Sequence, residues 1–594
     1  MTAYMANHHG WPCACASVLF RRHVPTPCSI GSNEATEMDR RNNPCENVAA
    51  AARDLTKGAG NTLSVAARIQ ICRRCIDTVY ENALEWAERA AVAKGLPATS
   101  SIRAEDMLSG PAVVARQLQL TIQTLTDIQT QGCPRLTGRP VWLSDNQLSV
   151  PVFPTKGFYD SLTFMGIRGS VRLRRGVDPE EIHGTLARVA ADEELAGVTG
   201  ILGAGNVSSI PATDSLNKIM FERRCVLLKM NPVNEYLAPI FERALAPLIK
   251  AGLLRILTGG PDVGSEMIHH DLVDDVHITG SAATHEVIVW GGDAAERCRR
   301  KQDNDPVLKK AVTSELGNVT PWIIVPGEYK TSQLQSQAQH VAASITNNSS
   351  FNCLATKVIV TWKNWPQRGL FLDLLQRYLS ATPARPGYYP GATERFERLA
   401  GFAAPADPNG CLPWTLLTDQ SIDERPDLFR EESFVCVCAE TQLDATSPAQ
   451  FLQVATDFVN DRMTGTLCAS VSIPPRFRSQ QPDAVERCLT DLRYGSVCIN
   501  QWSGLAYGLV SPPWGGYPGA TLDNVQSGIG NVHNTYLLDR VEKTVLEGPL
   551  VNFPRPVWFP SHSRSVDVAT RLVQLYHRPS MFRLPGLFSA ALMG

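Results

Sequence analysis

The chain has 594 residues, of which 44% are apolar and 19% charged, and its formal net charge is −2. This length exceeds what one hydrophobic core usually supports, so we expect two or three domains in an ordinary globular protein. Basic and acidic residues are interspersed and nearly balanced, so the sequence has no electrostatic footprint for nucleic acid or an anionic membrane surface. Chemistry on a small molecule is the favoured class of function.

We also expect neither a targeting signal nor a metal site. No stretch holds the roughly 18 uninterrupted apolar residues of a membrane span. Residues 1–45 have no clean apolar core of signal-peptide length, so we expect a flexible extension, or an upstream start codon wrongly included before Met38, and a cytoplasmic protein. The sixteen cysteines are scattered rather than densely spaced, which favours a reducing compartment. The CxC pairs Cys13/Cys15 and Cys436/Cys438 lack a second ligand pair, so we predict no metal site.

The first ordered elements are predicted to be helical. Apolar residues recur at helical spacing from Thr62 to Lys94, and Gly95 ends the run, which indicates one or two amphipathic helices. Further on, apolar residues alternate with arginines from Gly169 to Arg175, which predicts an exposed strand. This strand would pair with another subunit or form the edge of a hairpin.

Between Val198 and Ser281, strand-like runs alternate with helix-like stretches. The predicted strands are Val198–Gly203, Cys225–Lys229, Leu254–Thr258 and Val276–Thr279, and the predicted helices are Asp214–Phe221 and Ala238–Ala251. This alternation is typical of a parallel sheet with helices on its faces. A dinucleotide could bind beyond the carboxyl ends of such strands.

A second α/β unit is predicted to follow. Its strands are Pro321–Val325, Val358–Thr361, Phe434–Cys438 and Cys468–Ile473, and its helices are Leu370–Leu379 and Pro448–Asn460. The segment Asp293–Asp305 is dense in charge and predicts a surface insertion.

A glycine-rich turn follows the first strand of the first unit. Gly203-Ala-Gly205 is similar to the start of the dinucleotide-binding fingerprint, but Ser208 stands at the third glycine. Lys229 and the residues after it provide no acid at the end of the next strand. Taken alone, the motif is more typical of a tight turn.

Several further segments occur in an order that resembles the aldehyde dehydrogenase superfamily, from about Thr62 to Val545. Glu315-Leu-Gly317-Asn318 is similar to the family's Glu-Leu-Gly-Gly, and Asn348 to Cys353 is similar to Asn-x-Gly-Gln-x-Cys. The other segments are Gly205-Asn206, Cys225–Lys229, Asp275–Ser281, Glu431–Phe434, Asn460–Leu467, Gly495–Asn500, Pro513–Gly516, Ser527–Gly530 and Glu542–Val545. Their shared order is more specific than any one of them.

The resemblance implies an α/β fold with a Rossmann-type dinucleotide-binding domain, an α/β catalytic domain and a small β flap for oligomerisation. We expect the cofactor domain at residues 46–313, with part of the flap near 150–176, and the catalytic domain at 314–510. Residues 511–550 would return to the cofactor domain and provide the oligomerisation strand, and residues 551–594 would form a C-terminal extension. A homodimer or homotetramer is implied.

The resemblance also assigns catalytic roles. Cys353 would add to an aldehyde carbon, and the resulting thiohemiacetal would lose a hydride to NAD or NADP and leave a thioester. Asn206 would donate to the oxyanion, and Glu315 would activate the water that hydrolyses the thioester. The implied activity is NAD(P)-dependent oxidation of an aldehyde to a carboxylic acid.

The implied cofactor contacts come from several segments. They are Lys229 at the adenosine ribose, Gly280 and Ser281 at the pyrophosphate, Gly317 in the motif after Glu315, Glu432 at the nicotinamide ribose and Phe434 beside the nicotinamide ring.

The chain also departs from the family pattern. Pro232 stands where many relatives have a ribose-binding glutamate, which leaves NAD and NADP both open. His285 replaces a glycine after Gly280, and Ser350 and Phe351 replace the Gly-Gln pair before Cys353. The identity of the aldehyde is therefore not predicted.

Two alternative functions remain open. The first is a relative that transfers the acyl group to coenzyme A or runs as an acyl-CoA reductase. Such relatives often lack the glutamate present here as Glu315, so its presence favours hydrolysis. The second is a catalytically silent, oligomeric scaffold of the same fold, against which the combination of Asn206, Glu315 and Cys353 argues.

Overall fold

A computed structural model describes residues 44–60, 62–143, 145–191 and 193–594. Residues 44–594 form one compact unit built around parallel-stranded sheets, which confirms the predicted α/β class. The pair Cys13/Cys15 and all but the last two residues of the predicted extension 1–45 lie outside the described residues. In the described part of the chain, no helix has the length and apolar character needed to cross a membrane.

The elements are numbered in chain order. The strands are β1 (Val141–Trp142), β2 (Leu148–Phe153), β3 (Arg168–Leu173), β4 (Val198–Leu202), β5 (Cys225–Lys229), β6 (Leu254–Leu257), β7 (Asp275–Gly280), β8 (Ala311–Leu316), β9 (Pro321–Ile324), β10 (Val358–Trp362), β11 (Arg385–Pro386), β12 (Cys411–Leu412), β13 (Thr415–Leu417), β14 (Val437–Leu443), β15 (Cys468–Ser472), β16 (Ser496–Ile499) and β17 (Val541–Glu547). The α-helices are α1 (Pro44–Ala59), α2 (Val65–Ala93), α3 (Ala104–Met107), α4 (Val113–Gln131), α5 (Asp160–Thr163), α6 (Leu186–Ala190), α7 (Ile210–Met220), α8 (Ala238–Ala244), α9 (Ala246–Lys250), α10 (Pro261–His269), α11 (Ala282–Trp290), α12 (Ala294–Gln302), α13 (Thr331–Thr346), α14 (Arg368–Ala381), α15 (Ala392–Ala400), α16 (Asp427–Arg430), α17 (Pro448–Asp461), α18 (Pro475–Gln480), α19 (Pro482–Asp491), α20 (Gly504–Leu509), α21 (Ser565–His577) and α22 (Leu584–Leu592).

The smaller sheet has five parallel strands in the order β6-β5-β4-β7-β8. The chain leaves β4 for β5 on one side and later returns as β7 on the other side. In open α/β sheets, ligands bind beyond the carboxyl ends of the strands at such a reversal. All four strands predicted in this region are present. The helix predicted at Ala238–Ala251 is two helices, which separate at Leu245 ahead of Pro247.

The long helix α2 confirms the first predicted element. It runs from Val65 to Ala93 as one helix, and its buried positions follow the apolar spacing of the sequence. Ser64 caps its N-terminus, because the Ser64 hydroxyl accepts the N–H of Ala67 at 3.2 Å.

The larger sheet has ten strands in the order β1-β2-β3-β17-β16-β15-β9-β10-β14-β13. Its seven strands from β17 to β13 are parallel to one another, and β3 and β2 join antiparallel. The prediction of an exposed strand at Gly169–Arg175 is wrong, because β3 is paired on both sides. Its Arg172 is 4% exposed and contacts Glu486 and Thr490 on α19, so an arginine that suggested solvent is held inside by these partners.

Three further segments differ in detail from their prediction. Asp293–Asp305 lies on the surface but contains the helix α12, which has no buried residue and is capped by Asp293. The strand predicted at Phe434–Cys438 begins at Val437. The boundary predicted between residues 313 and 314 falls inside β8, the edge strand of the five-stranded sheet.

The C-terminal segment 551–594 is ordered as a pair of helices, α21 and α22, and α21 lies against α2, α3 and α4. Gln119 on α4 donates to the carbonyl of His577 at 3.0 Å, and His577 contacts Asp77 on α2 at 2.7 Å. The Ser565 hydroxyl donates to the carbonyl of Ser101 at 2.8 Å. These contacts fix the segment on the helices that precede the first sheet.

Candidate active site

Cys353 follows a tight turn between α13 and β10. Three consecutive residues of the turn, Asn348, Ser349 and Ser350, have positive φ values of 52°, 55° and 67°. Left-handed backbone costs a non-glycine residue roughly 1 kcal/mol or more, so neighbouring contacts must hold this turn in place. Lys357 provides two of them, because its ammonium donates to the Ser350 carbonyl at 2.9 Å and to the Ser350 hydroxyl at 3.2 Å.

Glu315 lies on β8, opposite Thr279 of β7. Its Oε1 accepts a hydrogen bond from the Cys353 Sγ at 3.6 Å, and its side chain is almost fully buried. Burial, followed by the nearby carboxylate of Asp214, raises the pKa of Glu315 to about 7. Burial and the same Glu315 carboxylate raise the pKa of the Cys353 thiol well above its ordinary value. The pair is therefore arranged as a thiol with a proton acceptor beside it.

Asn206 lies in the turn after β4 and connects that turn to the cysteine loop. Its Nδ2 donates one hydrogen to the Phe351 carbonyl at 3.1 Å. Asn348 in turn donates to the carbonyls of Asn206 and Phe351, each at 2.9 Å. An amide nitrogen carries two hydrogens, and the bond to Phe351 uses one of those on Asn206. The structure thus brings Asn206, Glu315 and Cys353 together, as the sequence predicted.

Lys357 is a site residue that sequence reasoning missed. Its side chain is 2% exposed, and burial lowers its pKa to about 8 against the opposing influence of Glu432 and Cys353. A buried ammonium near these groups favours their negative forms. The sequence does not indicate this position, because a lysine four residues after a cysteine and just before an apolar strand carries no sign that its side chain is buried near Glu432 and Cys353.

Glu432, Gly317 and Phe434 lie around the same centre. Burial raises the pKa of Glu432 to about 6, while Lys357 lowers it, and its buried Oε1 has no hydrogen-bond partner. A Cβ on Gly317 would collide with the Glu432 carboxylate, so a larger residue here would have to displace that carboxylate. Phe434 has a positive φ of 42° and packs against Phe351 and Tyr389.

Lys229, Gly280 and Ser281 lie at the carboxyl edge of the five-stranded sheet. Lys229 ends β5, and Gly280 ends β7. Ser281 caps the nine-residue helix α11, and its hydroxyl accepts the N–H of Thr284 at 3.1 Å. A helix N-terminus at this edge can receive a phosphate. Pro232 is exposed and, as a proline, provides no carboxylate near Lys229.

A cavity with a volume of about 130 Å³ lies next to Glu315, which is one of its lining residues. Its lining includes polar side chains that contact one another. His277 Nδ1 lies 2.9 Å from the Thr313 hydroxyl, and Lys218 donates to the same hydroxyl at 3.2 Å. Lys218 also pairs with Glu222 at 2.8 Å, and the Glu222 side chain is 29% exposed. Polar groups thus extend from the neighbourhood of Glu315 to solvent.

Comparison with known proteins finds similarity to aldehyde dehydrogenases. The model of the aldehyde dehydrogenase family matches residues 190–384. The N-succinylglutamate 5-semialdehyde dehydrogenase of Novosphingobium aromaticivorans is 26% identical over 171 residues. That match covers 28% of this chain and 32% of the relative, so the chain aligns with about a third of the curated protein.

Solved structures extend the likeness of the fold over most of the chain. The aldehyde dehydrogenase KauB from Pseudomonas aeruginosa has a TM-score of 0.56 at 17% identity, and the match covers 85% of this chain and 89% of KauB. An NAD-dependent aldehyde dehydrogenase from Sinorhizobium meliloti has a TM-score of 0.56 at 16% identity, with 88% and 89% covered. GapN from Methanocaldococcus jannaschii, complexed with NADP, has a TM-score of 0.54 at 15% identity, with 85% and 95% covered.

The two sheets and the cysteine–glutamate pair at their edge define an aldehyde dehydrogenase-like α/β protein. The family model matches residues 190–384, about a third of the chain, and over most of the chain the fold is similar to that of solved aldehyde dehydrogenases.

Proposed function

We propose that this protein oxidises an aldehyde to a carboxylic acid with NAD or NADP, through a thioester on Cys353. The observation that carries the proposal is the contact of 3.6 Å between the Cys353 thiol and the Glu315 carboxylate. A thiol next to a carboxylate whose pKa lies near 7 has both the nucleophile and the base that the reaction needs.

Acylation begins as the Cys353 thiol loses its proton, to Glu315 or to water beside it, and the sulfur adds to the aldehyde carbon, so this step does not depend on Glu315 alone. The carbonyl oxygen becomes an oxyanion, and the free hydrogen of the Asn206 amide, together with the backbone N–H at Cys353, would stabilise it. Collapse of this thiohemiacetal expels a hydride from the former aldehyde carbon and leaves an acyl thioester on Cys353. Lys357 holds the turn before Cys353 and so keeps the sulfur in position.

Deacylation requires water and a base. Glu315, in its ionised form, takes a proton from water, and the hydroxide attacks the thioester to release the acid and the Cys353 thiol. Glu315 and the partly exposed Glu222 line the same cavity, so water in this cavity offers a route by which that proton reaches solvent. The presence of Glu315 favours hydrolysis over transfer to coenzyme A, because thiol exchange needs no water-activating base.

The residues at the sheet edge fit a nicotinamide dinucleotide. Ser281 and the N-terminus of α11 suit a pyrophosphate, Gly317 leaves room for the Glu432 carboxylate, and the unpartnered Glu432 Oε1 can accept a ribose hydroxyl. A bound nicotinamide dinucleotide would supply the hydride acceptor. Similar proteins have been solved with NAD+ and with NADP.

The direct test is absorbance of reduced nicotinamide, measured with the purified protein, aliphatic and aromatic aldehydes, and NAD or NADP, with and without coenzyme A. We expect aldehyde-dependent reduction without coenzyme A and release of the free acid. Activity that requires coenzyme A would support the acyl-transferring alternative instead. Absence of activity under every condition would favour the silent scaffold.

We further expect NAD to be preferred over NADP. Pro232 provides no carboxylate, but Glu235 and Asp262 are close enough to Lys229 to favour its charged form. Two acids at this end of the sheet would repel a 2′-phosphate and accept a ribose hydroxyl. Glu235→Gln should lower the NAD-to-NADP ratio of kcat/KM by about tenfold, equivalent to roughly 1.4 kcal/mol. The exposed Glu242→Gln is the control, and a ratio that favours NADP in the unmodified protein would contradict the assignment.

Domain division, assembly and cellular location stay predictions. We keep the cofactor domain at 46–313, the catalytic domain at 314–510 and the return segment at 511–550 as proposals. A homodimer or homotetramer and a cytoplasmic location are likewise proposed. Because β3 pairs with β2 and β17 of its own chain, an assembly would have to use another surface. Light scattering of the purified protein measures its mass in solution.

A further inference from the structure

A large apolar cavity, with a volume of about 240 Å³, is lined by the two chain neighbours of Cys353. At its inner end lie Asn352 and Leu354, the two neighbours of Cys353 in the chain, and Val207, the neighbour of Asn206. Trp502 lines the same end, and its indole N–H donates to the Leu354 carbonyl at 2.8 Å. A molecule in this cavity therefore contacts the residues on either side of the proposed nucleophile.

The outer wall of the cavity comes from the C-terminal segment 551–594. Val568 and Leu572 on α21 and Leu587 and Phe588 on α22 line it, facing residues of α3 and α4. The resemblance to the family ends near Val545, so this wall belongs to the additional segment of this chain. Hydrogen bonds of Ser565 and Gln119 fix it to the rest of the molecule, so the wall is preformed.

A buried ion pair fixes the base of the same wall. Arg116 on α4 donates to both carboxylate oxygens of Asp160 at 2.9 and 2.8 Å, and both side chains are fully buried. The Tyr576 ring of α21 lies against the guanidinium, 5.2 Å from the ring centroid. A planar, paired guanidinium under an aromatic ring makes a rigid contact between α4 and α21.

Few charged groups face the cavity. Glu105 is already engaged, because it pairs with Arg385 at 2.8 Å and accepts the N–H of Asn348 at 2.9 Å. Arg555 is exposed and so belongs to the rim rather than the interior. Burial lowers the pKa of His562, which keeps its ring neutral at pH 7.

We propose that the C-terminal segment completes a substrate pocket for aldehydes with a long apolar chain. The inference rests on the proposed function, because the cavity becomes a substrate site only if Cys353 attacks an aldehyde. The apolar chain lies against α21 and α22, and the aldehyde carbon reaches Cys353 between Leu354 and Val207. Aldehydes that carry a charge, such as succinic semialdehyde with its carboxylate, lose hydration in this pocket without gaining a partner.

The first test is a series of straight-chain aldehydes from propanal to decanal, together with succinic semialdehyde, under one set of conditions. Burial of each methylene is expected to raise kcat/KM by about fourfold until the cavity is full. A flat profile, or a preference for succinic semialdehyde, would overturn the proposal while leaving the oxidation of aldehydes intact. Failure to oxidise any aldehyde would instead be a failure of the proposed function.

Variants of residues that line the cavity test whether the cavity causes the preference for long-chain aldehydes. Gly508 lines the cavity on α20, and a Cβ there meets no atom within 4 Å, so the side chain of Gly508→Leu can leave the helix freely and occupy cavity space. We expect it to lower the decanal-to-propanal ratio of kcat/KM by at least about tenfold. Phe588→Ala, which removes part of the C-terminal wall, should lower the same ratio. The matched control is Phe582→Ala, whose side chain is 88% exposed, and it should leave the ratio unchanged.

A binding measurement separates the pocket from catalysis. Trp502 and Trp558 both line the cavity, so a non-reactive chain such as decanol should change tryptophan fluorescence when added to Cys353→Ala protein. Gly508→Leu in the same background should weaken that response by about tenfold or more. An unchanged response in the double variant would contradict the assignment of the cavity.

Discussion

Replacement of Cys353 by alanine is expected to abolish aldehyde oxidation, with kcat/KM falling by more than about 10⁴-fold. Without the sulfur no covalent intermediate forms, and Glu315 has no thiol from which to take a proton. The measurement is reduced-nicotinamide absorbance at saturating aldehyde, with dinucleotide binding followed separately by calorimetry. Binding should persist, because the proposed contacts at Lys229 and Ser281 do not involve Cys353.

The control for this variant is a second, partly exposed cysteine outside the site. Cys411 on β12 has a degree of exposure similar to that of Cys353, and Cys411→Ala should retain full activity. Substantial turnover in Cys353→Ala, or loss of turnover in Cys411→Ala alone, would be incompatible with Cys353 as the nucleophile.

Replacement of Glu315 by glutamine is expected to lower steady-state turnover by about 10²- to 10⁴-fold, the range of a general base. Glutamine keeps the size of the side chain but accepts no proton, so the thioester on Cys353 persists. Rapid mixing with aldehyde and dinucleotide should give a burst of one reduced nicotinamide per chain, followed by slow turnover. An unchanged steady-state rate would remove Glu315 as the deacylation base.

The pH dependence follows from the same residue. A base accepts a proton only when it is ionised, and burial raises the pKa of Glu315 to about 7. Turnover of the unmodified protein should therefore rise as the pH increases through about 7 and level off above it. The Glu315→Gln variant should lack this rise. A profile that falls through the same range would contradict the proposed protonation state.

Much of the fold could be predicted from the sequence, because its parallel strands are continuous apolar runs. β5 occupies the predicted span Cys225–Lys229, and β4 and β7 lie within a residue or two of their predicted spans. The start of β14 was wrong by three residues. The apolar run begins at Phe434, but Phe434 packs with Phe351 and Tyr389 in an aromatic cluster ahead of the strand. The strand itself starts at Val437.

The site was predictable only where a residue stands in a motif. Cys353, Glu315 and Asn206 were identified from the order of the segments, and the structure brings them together. Lys357 was missed, because a buried cation is recognised by what surrounds it rather than by its neighbours in sequence. The position of Phe588 in the cavity wall could not be predicted for the same reason, since it depends on how the C-terminal helices fold back.

The burial of Arg172 shows the limit of hydrophobic patterning. An arginine within an alternating run predicts a strand face towards solvent. Here the guanidinium reaches Glu486 and Thr490 on α19, and this partner lies more than 300 residues later in the chain. Pairing across such a separation is set by tertiary structure, so periodicity alone could not reveal that β3 is an interior strand.

The most direct test of the central claim is to identify the acylated residue. Glu315→Gln protein is mixed with decanal and NAD, quenched in acid, digested and mapped by mass spectrometry. The account predicts a decanoyl group on the peptide that contains Cys353, in about one copy per chain, and no modification in the Cys353→Ala, Glu315→Gln double variant. An acyl group on another cysteine, or aldehyde oxidation with no acylated peptide, would contradict it.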